Sequence, residues 1–367
     1  MYYRLFIDWL ESVLADEQKV LNIIKEDLLD LKKRFADPRR TEITIDNSEM
    51  DVEDLIAEED IVVTISHRGY IKRQTLDNFR NQKRGGVGKN GGAGKNVEDS
   101  AKHLFITTTH HNRVYRQKGY EIPEGSRTAK GTAIINVLPL EQDEKITAVI
   151  PVKEFQEGHY MFMATNKGTV KKTNLSDFDS IRKVGMIAIN LDEKEELIGV
   201  ELTNGQCDII LGTNNGICIV FNEQDVRPMG RTAHGVRGIN INEDFGDRVI
   251  AMDVRDPEVD AECDVLTATE QGIGKRTAFS AYKQQTRGGK GTINVKITER
   301  TGAVIGMKII HKKQEIMLIT AGGIIIRQNA KDISQLGRYA QGVKLMTLSD
   351  GDKVVSLAAI YNDEAEE

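Results

Sequence analysis

Residues 161–172 read MFMATNKGTVKK, and the same pattern returns at 61–73 (IVVTISHRGYIKR), 209–220 (IILGTNNGICIV), 265–276 (VLTATEQGIGKR) and 317–328 (MLITAGGIIIRQ). Each window is an apolar run, a Thr or Ser, two mostly polar residues, a glycine, and a second apolar run that usually ends basic. The pattern predicts a strand, a tight turn in which glycine supplies a positive φ, and a second strand.

The turn glycines are Gly69, Gly168, Gly216, Gly272 and Gly323, and a sixth copy has Asn112 in their place. Asn is the next best residue for a left-handed turn. The spacings are 43, 56, 48, 56 and 51 residues, so six units fit between residue 61 and the C-terminus. Each unit has a second half, a glycine-rich basic loop followed by a second apolar pair such as INLDEKEELIGVELT from 189 or ININEDFGDRVIAMDV from 239. Four strands per unit and six units predict an all-β, propeller-like ring in which neighbours bury each other's apolar faces.

No apolar run approaches the ~18 residues of a membrane helix. Cys207, Cys218 and Cys263 are isolated and odd in number, which argues for core packing rather than a disulfide framework or a metal site. The net charge of −6 conceals an uneven distribution: residues 1–60 carry −9, residues 61–133 carry +9, and residues 134–367 carry −6. Positive charge concentrated in an acidic chain marks an electrostatic footprint.

At the N-terminus, Ile7, Leu10, Leu14, Leu21, Ile24, Leu28, Leu31 and Phe35 alternate in steps of three and four once Glu17 fills the gap. That is the seam of one long coiled-coil helix over 1–38, ended by Asp37-Pro38. A single seam needs a partner helix, which suggests that the chain is the C-terminal piece of something larger. Residues 39–60 read as an acidic linker, 61–361 as the ring, and 362–367 (NDEAEE) as an acidic tail that folds back on basic surface or frays.

The sharpest local signal is residues 82–88, QKRGGVG, followed by Lys89, Gly91, Gly92, Gly94 and Lys95. Glycines let backbone N–H groups approach a phosphate, Lys83 and Arg84 add charge, and Arg84 adds a bidentate fork. A nucleotide P-loop is excluded, because no glycine stands five residues before Gly88 or Gly94 and no Ser/Thr follows the lysine. Overlaying the repeats places SRTAKG (126–131), IRKVG (181–185), GRTAHGVRG (230–238), TRGGKG (286–291) and GRYAQGVK (337–344) at corresponding positions. A basic loop at one place in every unit predicts a cationic belt along the perimeter, suited to a phosphate backbone. No aromatic platform accompanies it, which favours a duplex over stacked single strands.

These residues resemble the C-terminal DNA-wrapping domain of the bacterial DNA gyrase A subunits, joined to the end of the preceding coiled-coil arm. The most specific element is residues 82–88, similar to the seven-residue box found in that family's first blade. FADPRRTEI (35–43), VVTISHRGYIKR (62–73), GIGKRT (272–277) and RVYRQKGYEIPE (113–124) support it. The resemblance implies a six-bladed β-pinwheel whose blades exchange strands. It implies wrapping of double-stranded DNA with positive handedness. It also implies an A2B2 holoenzyme with the upstream catalytic domain and a gyrase B partner, negatively supercoiling DNA with ATP and Mg2+ bound elsewhere.

The candidate DNA-contacting residues are Gln82, Lys83, Arg84, Gly85, Gly86, Gly88 and Lys89 in and beside the box, and Lys72, Arg73 and Arg80 around the first hairpin. The later units add Arg127, Lys130, Lys171, Lys172, Arg182, Lys183, Arg231, Arg237, Lys275, Arg276, Arg287, Lys290, Arg338 and Lys344. Val87 stands where the family's box usually has a basic residue, with Lys89 as substitute. The first unit is short by about one strand, so HLFITTTHH (103–111) closes blade one or opens blade two. No catalytic set converges, so the fragment alone is expected not to be an enzyme and to need no metal or cofactor. Adjacent His110 and His111 point to opposite strand faces, and Tyr2, Tyr3, Tyr70 and Trp9 read as packing residues. The resemblance places the chain in the cytoplasm on the nucleoid. Two other readings stand beside it: the corresponding C-terminal domain of topoisomerase IV, whose box is not intact, and a protein-interaction propeller with solvated basic loops.

Overall fold

The computed structural model describes residues 2–36, 61–65, 69–75, 89–90, 95–96, 103–108, 113–117, 119–126, 129–140, 144–152, 155–181, 185–192 and 194–360. The chain divides into two compact units, Met1–Leu55 and Ile56–Glu367. The box at 82–88, the linker and the acidic tail lie outside the described residues.

The first unit departs from the single expected helix. Its described residues hold two, α1 (Tyr2–Leu14) and α2 (Glu17–Phe35). Asp16 separates them with extended backbone, and its carboxylate accepts from the Gln18 amide at 3.0 Å. The interruption falls at the gap in the heptad seam, where an N-cap aspartate competes with continuation of the helix. The seam itself stays exposed, from Leu10 at 40 % to Leu14 at 81 %. Trp9 stacks on Phe6 with ring centroids 5.8 Å apart.

Among the described residues the second unit forms six four-stranded sheets. Five of the six expected hairpin turns have their glycine at φ between 70° and 80°, and Asn112 lies outside the described residues. The repeat threonine proves to be part of the turn. Thr165 Oγ1 accepts from the Thr169 amide at 3.2 Å and Thr320 Oγ1 from the Ile324 amide at 3.2 Å, while the turn glycine's amide bonds the threonine carbonyl.

Blade three shows the plan. Its hairpin, Tyr160–Thr165 and Thr169–Asn174, is flanked by Leu197–Thr203 on one side and by the two-residue strand Val236–Arg237 on the other. Blades four (208–222) and five (264–278) repeat it, with inner strands Val249–Arg255 and Val304–Ile310 and outer strands Thr292–Ile293 and Val343–Lys344. The seven-residue strands of successive blades pack against one another and form the inner wall. Val236–Arg237, Thr292–Ile293 and Val343–Lys344 are therefore outermost, and each comes from the unit that follows.

That exchange corrects the expected second apolar pair. Its first half is no strand of a hairpin. After the outer strand, Ile239 and Val295 are buried between blades, and the Gly238 and Asn294 amides donate 2.8 Å bonds to the carbonyls of the turn glycines Gly168 and Gly216. Apolar clusters fill the five junctions from blade one to blade six. In one of them Phe162 of blade three meets Phe221 of blade four at 6.4 Å, both fully buried. Burial of a side chain of this size contributes roughly 1.5–3 kcal/mol.

Blade one is completed by Lys95–Asn96, a two-residue strand where the others have seven, and His103–Thr108 opens blade two. The last blade (315–329, with Val354–Ile360) receives its outer strand from the opposite end of the domain. Lys89–Asn90 pairs with it, Asn90 opposite Ile324 and Lys89 opposite Ile325. The segment that follows the box therefore completes blade six and closes the ring.

Candidate nucleic-acid interface

The same chain path produces the edge of blades three, four and five. In blade three, the Met229 amide donates to Lys172 O at 2.8 Å, and residue 228 bridges residue 172 in parallel. The chain then loops out over 230–235 and returns as the antiparallel strand Val236–Arg237. Blades four and five do the same through 284–293 and 335–344. A hairpin edge that would present unpaired backbone is covered by a loop-bearing segment. The loop's last residue must be glycine. Gly235, Gly291 and Gly342 have φ of 108°, 74° and 104°, and an added Cβ would lie 2.5–2.6 Å from a strand carbonyl oxygen. Neighbouring loops are also joined. The Asn240 amide donates to Gly289 O at 2.9 Å, the Gly288 amide to Gly238 O at 2.6 Å, and Asn190 Nδ2 to Thr232 O at 2.7 Å.

The expected cations separate into three groups. Lys130, Arg237, Lys290 and Lys344 are exposed along this edge, and Arg73, Arg231, Arg287 and Arg338 are half-buried there. Gln82, Lys83, Arg84, Gly85, Gly86, Gly88, Arg80, Arg127, Arg182 and Lys183 lie outside the described residues, and Lys89 is placed only through its backbone pairing. Five expected contacts do not hold. Lys72, Lys171, Lys172, Lys275 and Arg276 are at most 6 % exposed, so their charged heads are turned inward.

Each buried head has an internal task. Lys171 Nζ donates to Ala188 O at 2.6 Å and to Arg231 O. Lys275 Nζ donates to Asn294 O and Gly337 O, both at 2.8 Å, and to Arg338 O at 2.5 Å. Lys72 Nζ reaches Ser126 O at 2.9 Å and Ala129 O at 3.1 Å. Ala188 and Asn294 follow the outer strands of the preceding blades. Lys171 and Lys275 therefore bracket the exit of one blade's outer strand to the rim loop of the next. Burial pushes both lysines down to about 8; the Arg231 charge adds to this at Lys171, and Arg338 acts the same way at Lys275.

One residue further along, Lys172 meets the fully buried Glu223 at 2.9 Å, and Arg276 meets Asp264 at 2.5 Å. Glu223 also accepts from Thr203 Oγ1 and from the Gly205 and Cys207 amides, each at 2.8 Å. A buried ion pair persists when its remaining lone pairs are satisfied in this way. Counting cations along the sequence misses this, because the count does not ask which acids face them. A signal is nonetheless present: the third residue after the turn alternates Lys72, Tyr115, Lys171, Ile219, Lys275, Ile326. A position that exchanges lysine for tyrosine and isoleucine is an interior one. An exposed aromatic also escapes the sequence reading: Tyr339, 68 % exposed on a rim loop, lies 5.5 Å from the Arg338 guanidinium.

Other chemistry is sparse. All three cysteines are buried and their thiols are pushed up to about 11 or 12, chiefly by desolvation. Among the described residues no group of His, Cys, Asp and Glu is placed to hold a metal ion, and no helix is long and apolar enough to cross a membrane.

Comparison with known proteins agrees with this architecture. The family described as "DNA gyrase C-terminal domain, beta-propeller" matches residues 60–99, 103–153, 159–204, 208–255, 264–311 and 314–360. The DNA gyrase A protein of Staphylococcus epidermidis is 45 % identical over 369 residues, covering 98 % of this chain and 41 % of that protein. Its counterpart in Clostridium acetobutylicum is 46 % identical over 366 residues, covering 98 % and 43 %. The chain thus spans about two-fifths of the length of these relatives. Among solved structures, a DNA gyrase A C-terminal domain aligns with a TM-score of 0.73 at 24 % identity, covering 83 % of this chain and all of that one. A DNA topoisomerase IV C-terminal domain aligns at 0.64 and 24 %, covering 83 % and 94 %. Six hairpin units, outer strands donated from unit to unit, and six matched repeats lead to one assignment: the chain belongs to the DNA gyrase C-terminal β-propeller family.

Proposed function

We propose that this chain binds duplex DNA along its outer edge and bends it around the ring as the C-terminal wrapping domain of a gyrase A protein. The observation that carries the reading is positional. In blades three, four and five the arginine-bearing loop directly precedes the outermost strand, so the cations of separate repeats share one edge. Bending a duplex costs several kcal/mol by elastic estimates, and many distributed phosphate contacts offset it. The fragment performs no catalysis. It presents wrapped DNA to an upstream catalytic domain and a gyrase B partner in an A2B2 holoenzyme, which introduces negative supercoils with ATP and Mg2+ bound elsewhere, in the cytoplasm on the nucleoid. The seven residues at 82–88 favour this over a topoisomerase IV role.

The test is topological. Nicked plasmid ligated in the presence of the domain at low salt should show a linking-number change of the sign of positive wrapping. The change should vanish as salt rises, because each phosphate contact releases counterions. Unchanged linking number at low salt would assign the domain to protein interaction instead.

A further inference from the structure

In blades three and five a buried lysine ties down the rim loop. In blade four the same place is filled by Ile219, fully buried, and a Cβ on Gly289 of the loop would lie 3.4 Å from its Cδ1. An alkyl chain donates no hydrogen bond, so beyond the backbone bonds of Gly288 and Gly289 the side-chain tether of this loop must be another group. Arg287, on the loop itself, supplies it. Its Nε donates to Asp225 O at 2.9 Å and its Nη1 to Arg237 O at 3.0 Å, the second acceptor lying on the outer strand of blade three.

Arg231 and Arg338 hold the corresponding place in their loops. Among the described residues Arg231 makes no side-chain hydrogen bond, and Arg338 makes one long donation, 3.4 Å to Ile293 O. We infer that the blades divide two tasks: Lys171 and Lys275 hold the rim loops of blades three and five and leave Arg231 and Arg338 to bind backbone phosphate, whereas in blade four Arg287 is the loop's own tether. A guanidinium needs its planar fork for bidentate phosphate binding, and Arg287 has committed two of its donors to carbonyls. Arg231 is further disposed to an anion, because it and the Lys171 ammonium repel each other across the loop. Lys171 and Lys275 are thus positioning residues, and the two arginines are the contacts.

This rests on the proposed DNA-wrapping reading, and its test separates the two. In the full chain, Arg231→Ala, Arg338→Ala, Arg287→Ala, Lys171→Met and Lys275→Met are compared by the salt dependence of binding to a linear duplex and by amide hydrogen exchange of the rim loops. Arg231→Ala and Arg338→Ala should each reduce the salt slope by about one and leave exchange in their loops unchanged. Arg287→Ala should speed exchange over 286–291 several-fold with the slope near wild type. Lys171→Met should speed exchange over 230–235, and adding Arg231→Ala to it should cost little more affinity, the non-additivity of a coupled pair. If one lysine variant fails to fold, the other lysine and the three arginine variants still decide. Equal slope losses in Arg231→Ala and Arg287→Ala, with exchange unchanged in both, would overturn the division of tasks. A wild-type chain that shows no salt-dependent duplex binding would sink the wrapping reading, while the exchange pattern would still judge the tethers.

Discussion

Lys308→Met is expected to destabilise the ring by about 2–4 kcal/mol. Lys308 sits on the inner strand of blade five, and its Nζ reaches Glu201 of blade three at 2.9 Å and Asp253 of blade four at 3.3 Å. One ammonium thus joins three blades at the inner wall. Asp253 also accepts the Ile309 amide at 2.6 Å and the Val254 amide at 3.0 Å. Burial alone would lower the lysine, but Asp253 and Glu201 hold it above its ordinary value. Burial raises the Asp253 carboxyl, and the Lys308 charge offsets part of that rise. Removing one partner of a buried pair costs about 3–5 kcal/mol. The figure here is lower because the Lys308 side chain keeps 30 % exposure.

The pH dependence follows from Asp253. Without the ammonium, its folded pKa rises further above the unfolded value. A carboxyl raised on folding contributes stability below the unfolded pKa and loses it as pH climbs through the folded one. The variant should therefore lose stability more steeply than wild type between pH 5 and pH 7.5, so that the gap in denaturant midpoint is smaller at pH 5. A constant gap across that range would show that Asp253 is not left as the uncompensated charge.

Much of this architecture was legible in the sequence because its determinants are local. A Thr, two polar residues and a glycine at φ near 80° make a hairpin wherever they occur, and Gly168 and Gly216 announced two of them. What was not legible was long-range. Val236–Arg237 completes the sheet of the preceding unit, and nothing local distinguishes it from a strand of its own blade. The fates of Lys171 and Arg276 depended on partners far along the chain, Arg231 O and Ile333 O, and the sequence records their charge but not the direction they face. Asp16 is the opposite case. It is a visible N-cap between two apolar stretches, and the heptad count runs through it.

Replacing residues 82–88 by alanines is expected to abolish the handed linking-number change while lowering simple duplex affinity much less. The two effects separate because they depend on different parts of the ring. On the proposed wrapping reading affinity sums over many rim cations, and Lys130, Arg237, Lys290 and Lys344 remain in place on the other blades. A continuous wrap also needs an unbroken edge, and among the described residues Lys89–Asn90, lying beside Ile324 and Ile325, joins that edge between the last blade and the first. In sequence, Gly88 holds the place taken before other outer strands by Gly131, Gly235, Gly291 and Gly342. Each of those has φ between 74° and 108°, and a Cβ there would lie 2.5–2.6 Å from a carbonyl oxygen. A non-glycine residue in such backbone costs about 1–3 kcal/mol, more than a two-residue strand recovers. Gly131→Ala should therefore cost blade one its outer strand. Filter binding and plasmid ligation on the same samples separate the two quantities. Normal wrapping by the alanine-substituted chain would refute the role assigned to these seven residues. Parallel loss of binding and wrapping would mean that they act as ordinary phosphate contacts and not as the junction of the ring.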